Sequence, residues 1–275
     1  MNDMKYSVLM SVYFKESPEN FRVAMDSMLN QTVMPDEIVL VEDGSLTDEL
    51  YALIDEYKSK YPDIMHIVVN ENNLGLGLSL KKGLNACKNE LVARMDTDDI
   101  SVPDRCEKQL EYFRANPDTS VLGGQIQEFI NTVDNVAGRR IVPETDSELK
   151  EYMKKRCPLN HVAVMFKKSD IKKAGNYKKW FWNEDYYLWI RLALKGCKFA
   201  NLPDVLVNVR VGEEMYQRRG GMRYFRSEAK LQKYMLDSGL TDFRRYAVNV
   251  AERLILQVLM PNKVRGFIFR TLARK

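Results

Sequence analysis

Three carboxylates fall within four residues in Arg94-Met-Asp-Thr-Asp-Asp99, directly after an apolar run. If that stretch is extended, Asp96 and Asp98 point to one side, because successive side chains of a strand alternate. Two carboxylates so placed can share a hard divalent cation, or divide ribose and metal duties. A cation held this way keeps positions open for phosphate oxygens, which suits a diphosphate leaving group. The competing reading is a solvated acidic turn. Asn183-Glu-Asp-Tyr-Tyr-Leu-Trp-Ile-Arg-Leu192 begins with two acids and then turns apolar on nearly every side, as a buried helix with an acidic first turn would. Helix-end amides and the macrodipole favour the ionised form there. An ionised carboxylate can accept the proton of an attacking hydroxyl, although simple dipole complementation explains the same residues. In Val41-Glu-Asp-Gly-Ser45, Gly44 permits a tight turn and Ser45 or Asp48 can cap the helix that follows. Taken alone it is a strand-turn-helix junction.

The elements that must position these groups are read from periodicity. Short apolar or β-branched runs at Ser7 to Val12, Glu37 to Val41, Met65 to Val69 and Leu91 to Met95 alternate with amphipathic stretches at Ser17 to Gln31, Thr47 to Tyr61 and Gly77 to Ala86. Such alternation predicts parallel βαβ units in a doubly wound sheet. Ligands of these sheets bind outside the carboxyl ends of the strands. The informative residues are therefore Tyr13 to Glu16, Glu42 to Ser45, Asn70 to Gly77 and Asp96 to Asp99. Beyond about residue 105 the pattern is mixed: a helix near 104–115, a strand-like 121–130, and a polar, glycine-containing excursion over 131–144. Residues 218–275 read as mostly helical, with one stripe at Ala251, Leu254, Ile255, Val258 and Leu259 and another at Val264, Phe267, Ile268, Thr271 and Leu272.

Composition narrows the classes. Of 275 residues 45% are hydrophobic and 29% charged, enough apolar material for a sizeable core and unlike a disordered, collagenous or low-complexity chain. Four dispersed cysteines and two histidines give no zinc-module spacing. The opening MNDMKYSVLMSVYF has no long apolar region or cleavage site, which points to reduced thiols in a cytosolic setting. No run of about 18 uncharged apolar residues is present to span a membrane. The net charge of +4 hides an asymmetry. Residues 218–275 carry fourteen Lys/Arg against four Asp/Glu, a net +10, which leaves −6 for residues 1–217. A basic tail on an acidic body suits an anionic surface.

Five segments together resemble family 2 glycosyltransferases, over roughly residues 5–212. They are Ser7-Val-Leu-Met-Ser-Val-Tyr13; Ser27-Met-Leu-Asn-Gln-Thr32 leading to Glu37-Ile-Val-Leu-Val-Glu-Asp-Gly-Ser45; Asn72-Asn-Leu-Gly75; Ala93 to Ile100 with Pro103-Asp-Arg105; and Glu184-Asp-Tyr-Tyr-Leu-Trp189. The resemblance implies a GT-A fold, Rossmann-like with a mostly parallel sheet flanked by helices, followed by a helical extension. It also implies an inverting transfer from a nucleotide-diphosphate sugar, family habit favouring UDP. Tyr13, Glu16 and Asp43 would line the nucleoside pocket with Asp43 facing the base, and Val12, Lys81, Arg94 and Thr97 would belong to the same nucleotide-sugar surface. Asp96 would approach the ribose and, with Asp98, hold Mn2+ or Mg2+. Asp185 would be the general base, with Glu184 and Trp182 near the acceptor. Many relatives close the domain with Tyr-Arg-x-His. Here Asn208-Val-Arg-Val-Gly212 keeps Arg210 but has glycine in place of the histidine, so Arg210, Arg218 or Arg219 would meet phosphate oxygens. His161 matches a position often occupied by histidine in the family and would line the acceptor side.

Other features are absorbed less easily. Gly75-Leu-Gly77 lacks the third glycine of a dinucleotide fingerprint, and no triphosphate loop is present. The cluster Tyr177, Trp180, Phe181 and Trp182, interrupted by lysines, reads as a loop whose rings stack on a sugar. The Val264–Leu272 face with its flanking cations reads as an interfacial helix. The expectation is a glycosyltransferase domain over 1–217 and a basic, mainly helical extension over 218–275. It works on a glycan or lipid-linked acceptor in surface polysaccharide synthesis, in the cytoplasm and peripheral on the inner face of the membrane, without nucleic acid. A nucleotidyltransferase and a catalytically silent scaffold are the alternatives.

Overall fold

The computed structural model describes residues 4–212 and 220–260. Strand β1, Tyr6–Val12, sends Val8, Met10 and Val12 into one apolar layer and Leu9 into the other. In β2, Glu37–Asp43, Ile38 and Leu40 alternate likewise with Val39 and Val41. Both faces are covered, so these strands read as continuous apolar runs. Helices α1, Pro18–Leu29, and α2, Asp48–Lys60, supply one layer through Phe21, Met25, Leu50 and Ile54. Ser17 and Thr47 cap them by accepting from the Asn20 and Leu50 amides. The other layer includes α3, Leu76–Ala86, through Leu80 and Leu84.

With β3, Met65–Asn70, and β4, Leu91–Arg94, the sheet opens in the order β3-β2-β1-β4, all parallel as the periodicity predicts. It then becomes mixed. β8, Met165–Lys167, runs antiparallel between β4 and β6, Thr119–Phe129, and β6 pairs in parallel with the long β9, Lys198–Arg210. The two-residue β5, Ile100–Ser101, pairs antiparallel to β9 and brings the segment after Asp99 back to the sheet. The 131–144 excursion contains a strand, β7, Val136–Arg140, antiparallel to β6. Helices α4, Arg105–Ala115, α5, Asp146–Met153, and α6, Lys168–Lys173, cover this half. Trp189, Leu188 and Ile190 of α7, Glu184–Leu194, complete the second layer.

Beyond residue 220 come α8, Met222–Asp237, and α9, Phe243–Leu254, followed by a wide helical turn at Ile255–Leu259. Leu231 and Met235 join the core. Hydrogen bonds tie α9 to the main body: Asn249 Nδ2 donates to the Lys154 carbonyl at 2.8 Å and Arg253 Nη2 to that of Lys155 at 2.6 Å. The second predicted stripe, Val264 to Leu272, and the phosphate candidates Arg218 and Arg219 lie outside the described residues. No helix among the described residues is long and apolar enough to cross a membrane.

Candidate active site

The strand-end loops expected to carry chemistry are pinned in two pairs, 13–16 with 96–99 and 42–45 with 70–77. Arg94 ends β4 with its side chain 2% exposed and forks both donors onto the Asp96 carboxylate. Carboxylate oxygens of Asp96, Asp98 and Asp99 lie within 4.8 Å of one another. Asp99, part of the acidic run but not among the predicted site residues, accepts from the Arg210 amide at 2.8 Å. Arg210 also donates through Nε to the Asp98 carbonyl at 3.2 Å and through Nη1 to that of Asn131 at 3.0 Å. Its guanidinium thus clamps the acidic loop to the end of β9. Glu16, from the loop after β1, accepts from Thr97 Oγ1 at 2.6 Å and the Ser17 amide at 2.9 Å.

Burial and crowding of like charge set the electrostatics. Burial foremost, then the Asp96 and Glu16 charges, push Asp98 up to about 7. Burial, with Asp98 and Asp96, holds Asp99 well above the usual range. Burial also raises Glu16. Carboxyls held this far from ionisation fit a divalent cation, whose charge would reverse the repulsion. Asp98 and Asp99 with Asp96 are the residues that would hold it.

Asp43, at the end of β2, is held by the neighbouring strand-end loop. It is 3% exposed, and its oxygens accept from the Leu74 amide at 2.7 Å, the Gly75 amide at 2.9 Å and Asn70 Nδ2 at 3.1 Å. It therefore pins the loop that opens α3. Gly44, at φ +86°, lies against that loop so closely that a Cβ would stand 2.8 Å from the Asn73 nitrogen. Val12, expected on the nucleotide-sugar surface, is fully buried at the end of β1, main chain included, so it supports that surface from beneath. Tyr13 is 36% exposed beside Phe14. Lys81 stands exposed on α3, and no hydrogen bond among the described residues joins it to the acidic cluster.

On the other side stand Glu184 and Asp185, in the first turn of α7. Gly77 makes room for them, since a Cβ there would lie 3.1 Å from the Glu184 Cβ. Burial, then the Asp185 charge, raises Glu184 to about 7. Burial also raises Asp185, opposed by the Tyr186 amide and by the Arg140 and Arg94 charges. The Cys157 thiol lies 3.7 Å from Asp185 Oδ2, and Arg140 Nη2 donates to the Cys157 carbonyl at 2.7 Å. Sequence reading missed both residues: Arg140 lies in the polar excursion, and nothing local marks Cys157. His161 Nε2 is 2.9 Å from Tyr177 Oη, and burial, then Arg94, holds its pKa well below the ordinary value, so the imidazole is neutral.

Of the four clustered aromatics Tyr177 is buried, Trp180 and Phe181 are half-buried, and Trp182 is 50% exposed with φ +55°. Trp182 stacks on Phe181 at 4.5 Å, and the Arg223 guanidinium of α8 backs Phe181 at 4.1 Å. Ser227 Oγ of α8 donates to the Phe181 carbonyl at 2.6 Å, a contact that no local signal announces. A groove of about 730 Å3 lies elsewhere, between α5 and α9, lined by Glu148, Tyr152, Arg245 and Glu252 among others and by none of the candidate residues.

A family model described as glycosyl transferase family 2 matches residues 7–172. The chain belongs to that family. It is 36% identical over 271 residues to an Escherichia coli UDP-Gal:alpha-D-GlcNAc-diphosphoundecaprenol beta-1,3-galactosyltransferase, covering 98% of this chain and 97% of the relative. Among solved structures it is similar to S. aureus TarS 1-349 in complex with UDP-GlcNAc, with TM-score 0.66 and 18% identity over 92% of this chain and 73% of the other. It is similar also to the Pyrobaculum calidifontis mannosyltransferase PcManGT in complex with GDP-Man and Mn2+, with TM-score 0.65 and 15% identity over 92% and 70%. These likenesses establish the GT-A fold. The family match ends before Glu184, so α7 takes its candidacy from its own geometry.

Proposed function

We propose that the protein is an inverting, metal-dependent glycosyltransferase that moves a sugar from a nucleotide-diphosphate sugar, UDP-linked by preference, to a hydroxyl of a glycan or lipid-linked saccharide. One observation carries the reading. Buried Arg94 forks onto Asp96 in a loop whose Asp96, Asp98 and Asp99 carboxylates lie within 4.8 Å of one another, and its charge also favours the ionised forms of Glu184 and Asp185. Asp185 takes the acceptor proton as the acceptor oxygen bonds to the anomeric carbon. The bond from that carbon to the diphosphate breaks, and its electron pair leaves with the phosphate oxygen. A divalent cation on Asp98 and Asp96 would act as a Lewis acid toward the leaving diphosphate.

Glu16, Asp43, Thr97 and Tyr13 shape the nucleoside side with Val12 buried beneath them, Lys81 and Arg210 contribute cations toward phosphate, and Trp182, Glu184 and His161 face the acceptor. The E. coli relative acts on a GlcNAc-diphosphoundecaprenol, which supports a lipid-linked substrate and surface polysaccharide synthesis. On this reading residues 1–217 form the catalytic unit, and the basic 218–275 extension holds it peripherally at the cytoplasmic face of the membrane. Asp185→Asn tests the proposal: transfer falls by about 10²–10⁴ while UDP still raises the melting temperature in the presence of Mn2+. Near-normal turnover removes Asp185 from the mechanism.

A further inference from the structure

Helix α9 is packed with its polarity inverted. The inward residues are Asn249 and Arg253 of α9 and Gln257 of the turn after it, each no more than 9% exposed. Asn249 Nδ2 donates to Gln232 Oε1 at 2.8 Å, and Arg253 Nε to Glu228 Oε2 at 2.7 Å, so a buried polar network joins α9 to α8. Four large apolar residues of α9 and the turn after it face outward instead, while Val250, Leu254, Leu256 and Val258 are half-buried. Phe243 is 70% exposed, Val248 50%, Ile255 52% and Leu259 67%, and Ala247 and Ala251 are exposed between them. Arg244, Val248, Ala251, Ile255 and Leu259 recur at the three- and four-residue spacing of one helical face. A contiguous apolar face on a water-exposed helix marks a contact surface.

Charge selects the occupant. Glu252, the acid of this segment, turns to Lys155 at 3.5 Å, while Asp242 caps α9 by accepting from the Arg245 amide at 2.8 Å. The remaining acids of 218–275 pair internally, Glu228 with Arg253 and Asp237 with Lys233. Arg244 stands exposed on the apolar arc, in a region whose net charge is +10. A second copy would bring the same cation and the same excess. The chain's own residues 261–275 would bring five more cations and no acid. An anionic surface complements the face, and these two do not.

We propose that the outward face of α9 and its following turn, Phe243 to Leu259, docks on an anionic phospholipid bilayer, with Phe243, Val248, Ile255 and Leu259 entering the interface and Arg244 meeting lipid phosphate. The proposal rests on the lipid-linked acceptor reading for its purpose, and it assigns the membrane contact to apolar insertion on α9 in addition to the charge of the extension. The polar network carries the contact to α8, whose Ser227 and Arg223 hold the loop before Asp185.

The test is co-sedimentation of the full chain with vesicles of phosphatidylglycerol and phosphatidylethanolamine, against vesicles of phosphatidylcholine alone. The wild type sediments with the anionic vesicles, and high salt weakens binding without abolishing it because the apolar part is unscreened. Ile255→Glu with Leu259→Glu lowers the partition coefficient by about tenfold or more. The far-UV spectrum and the UDP–Mn2+ thermal shift of that variant stay at wild-type values, which shows that it is folded. Ile255→Ala with Leu259→Ala gives a smaller loss in the same direction. Unchanged binding by the glutamate variant overturns the proposal, as does complete loss of wild-type binding in salt. A wild-type dimer in analytical ultracentrifugation that Leu259→Glu dissociates assigns the face to a second copy. A gain in vesicle binding on deleting 261–275 assigns it to the chain's own tail, and either result overturns the proposal. Failure of the glycosyltransferase reading registers separately, as absence of a UDP–Mn2+ thermal shift in a protein that still binds vesicles.

Discussion

Arg140 acts on Asp185 from a strand that local sequence reads as a loop, and its influence has a definite sign. Its charge lowers the Asp185 pKa against the upward push of burial. Arg140→Met removes that opposition and raises the pKa, and a base works only when ionised. The acidic limb of the kcat/KM profile therefore moves to higher pH. A limb that stays in place dissociates Arg140 from the base. Asp98 obeys the same logic on the other side. A carboxyl whose pKa rises on folding, here to about 7, holds its proton more tightly in the native state. Its stabilisation is complete below the unfolded value and is lost as pH climbs toward 7. Asp98→Asn removes this cost, so the metal-free protein melts about 2 °C or more higher at pH 7, and Mn2+ no longer shifts the transition. The acids Asp96, Asp98 and Asp185 were legible because their chemistry is written in consecutive residues. Arg140 and Cys157 were not, because they meet Asp185 through tertiary contacts between segments with no shared pattern.

At the scale of elements, helix α8 holds the aromatic loop before Asp185, which the proposed mechanism puts on the acceptor side. Ser227 donates to the Phe181 carbonyl, Trp180 Nε1 donates to the Ser227 carbonyl at 3.4 Å, and Arg223 and Lys230 stand over Phe181 and Trp180. A single neutral hydrogen bond contributes ~1 kcal/mol, equivalent to about fivefold in an equilibrium. Ser227→Ala is accordingly expected to raise the acceptor KM about fivefold, leaving UDP affinity untouched. Steady-state kinetics with titrated acceptor checks this, and a change in UDP affinity instead would place Ser227 on the donor side. Periodicity found β1 to β4 and the helices between them because both registers, two and 3.6, are expressed locally. It could not give the direction of β8, since pairing direction leaves no trace in alternation. Strand β9 escaped because Pro203 and Asp204 interrupt it and its register with β6 shifts near Gln125.

The extension beyond residue 217 is built into the molecule as a whole. Leu231 and Met235 are fully buried in the same layer as Trp189 and Tyr177. Burying a large apolar side chain contributes ~1.5–3 kcal/mol, so a chain ending at residue 217 should melt lower by about 10 °C or more, measured by calorimetry. An unchanged transition would make the extension an independent appendage. Arg94 reaches further still. One guanidinium forks onto Asp96 and imposes its charge on Glu184, Asp185 and the neutral His161. On the proposed mechanism, whatever draws Asp96 away from it would change the field in which the acceptor hydroxyl loses its proton. The two substrates are then linked thermodynamically. Each would then alter the other's affinity by the same factor, with one buried side chain as the link.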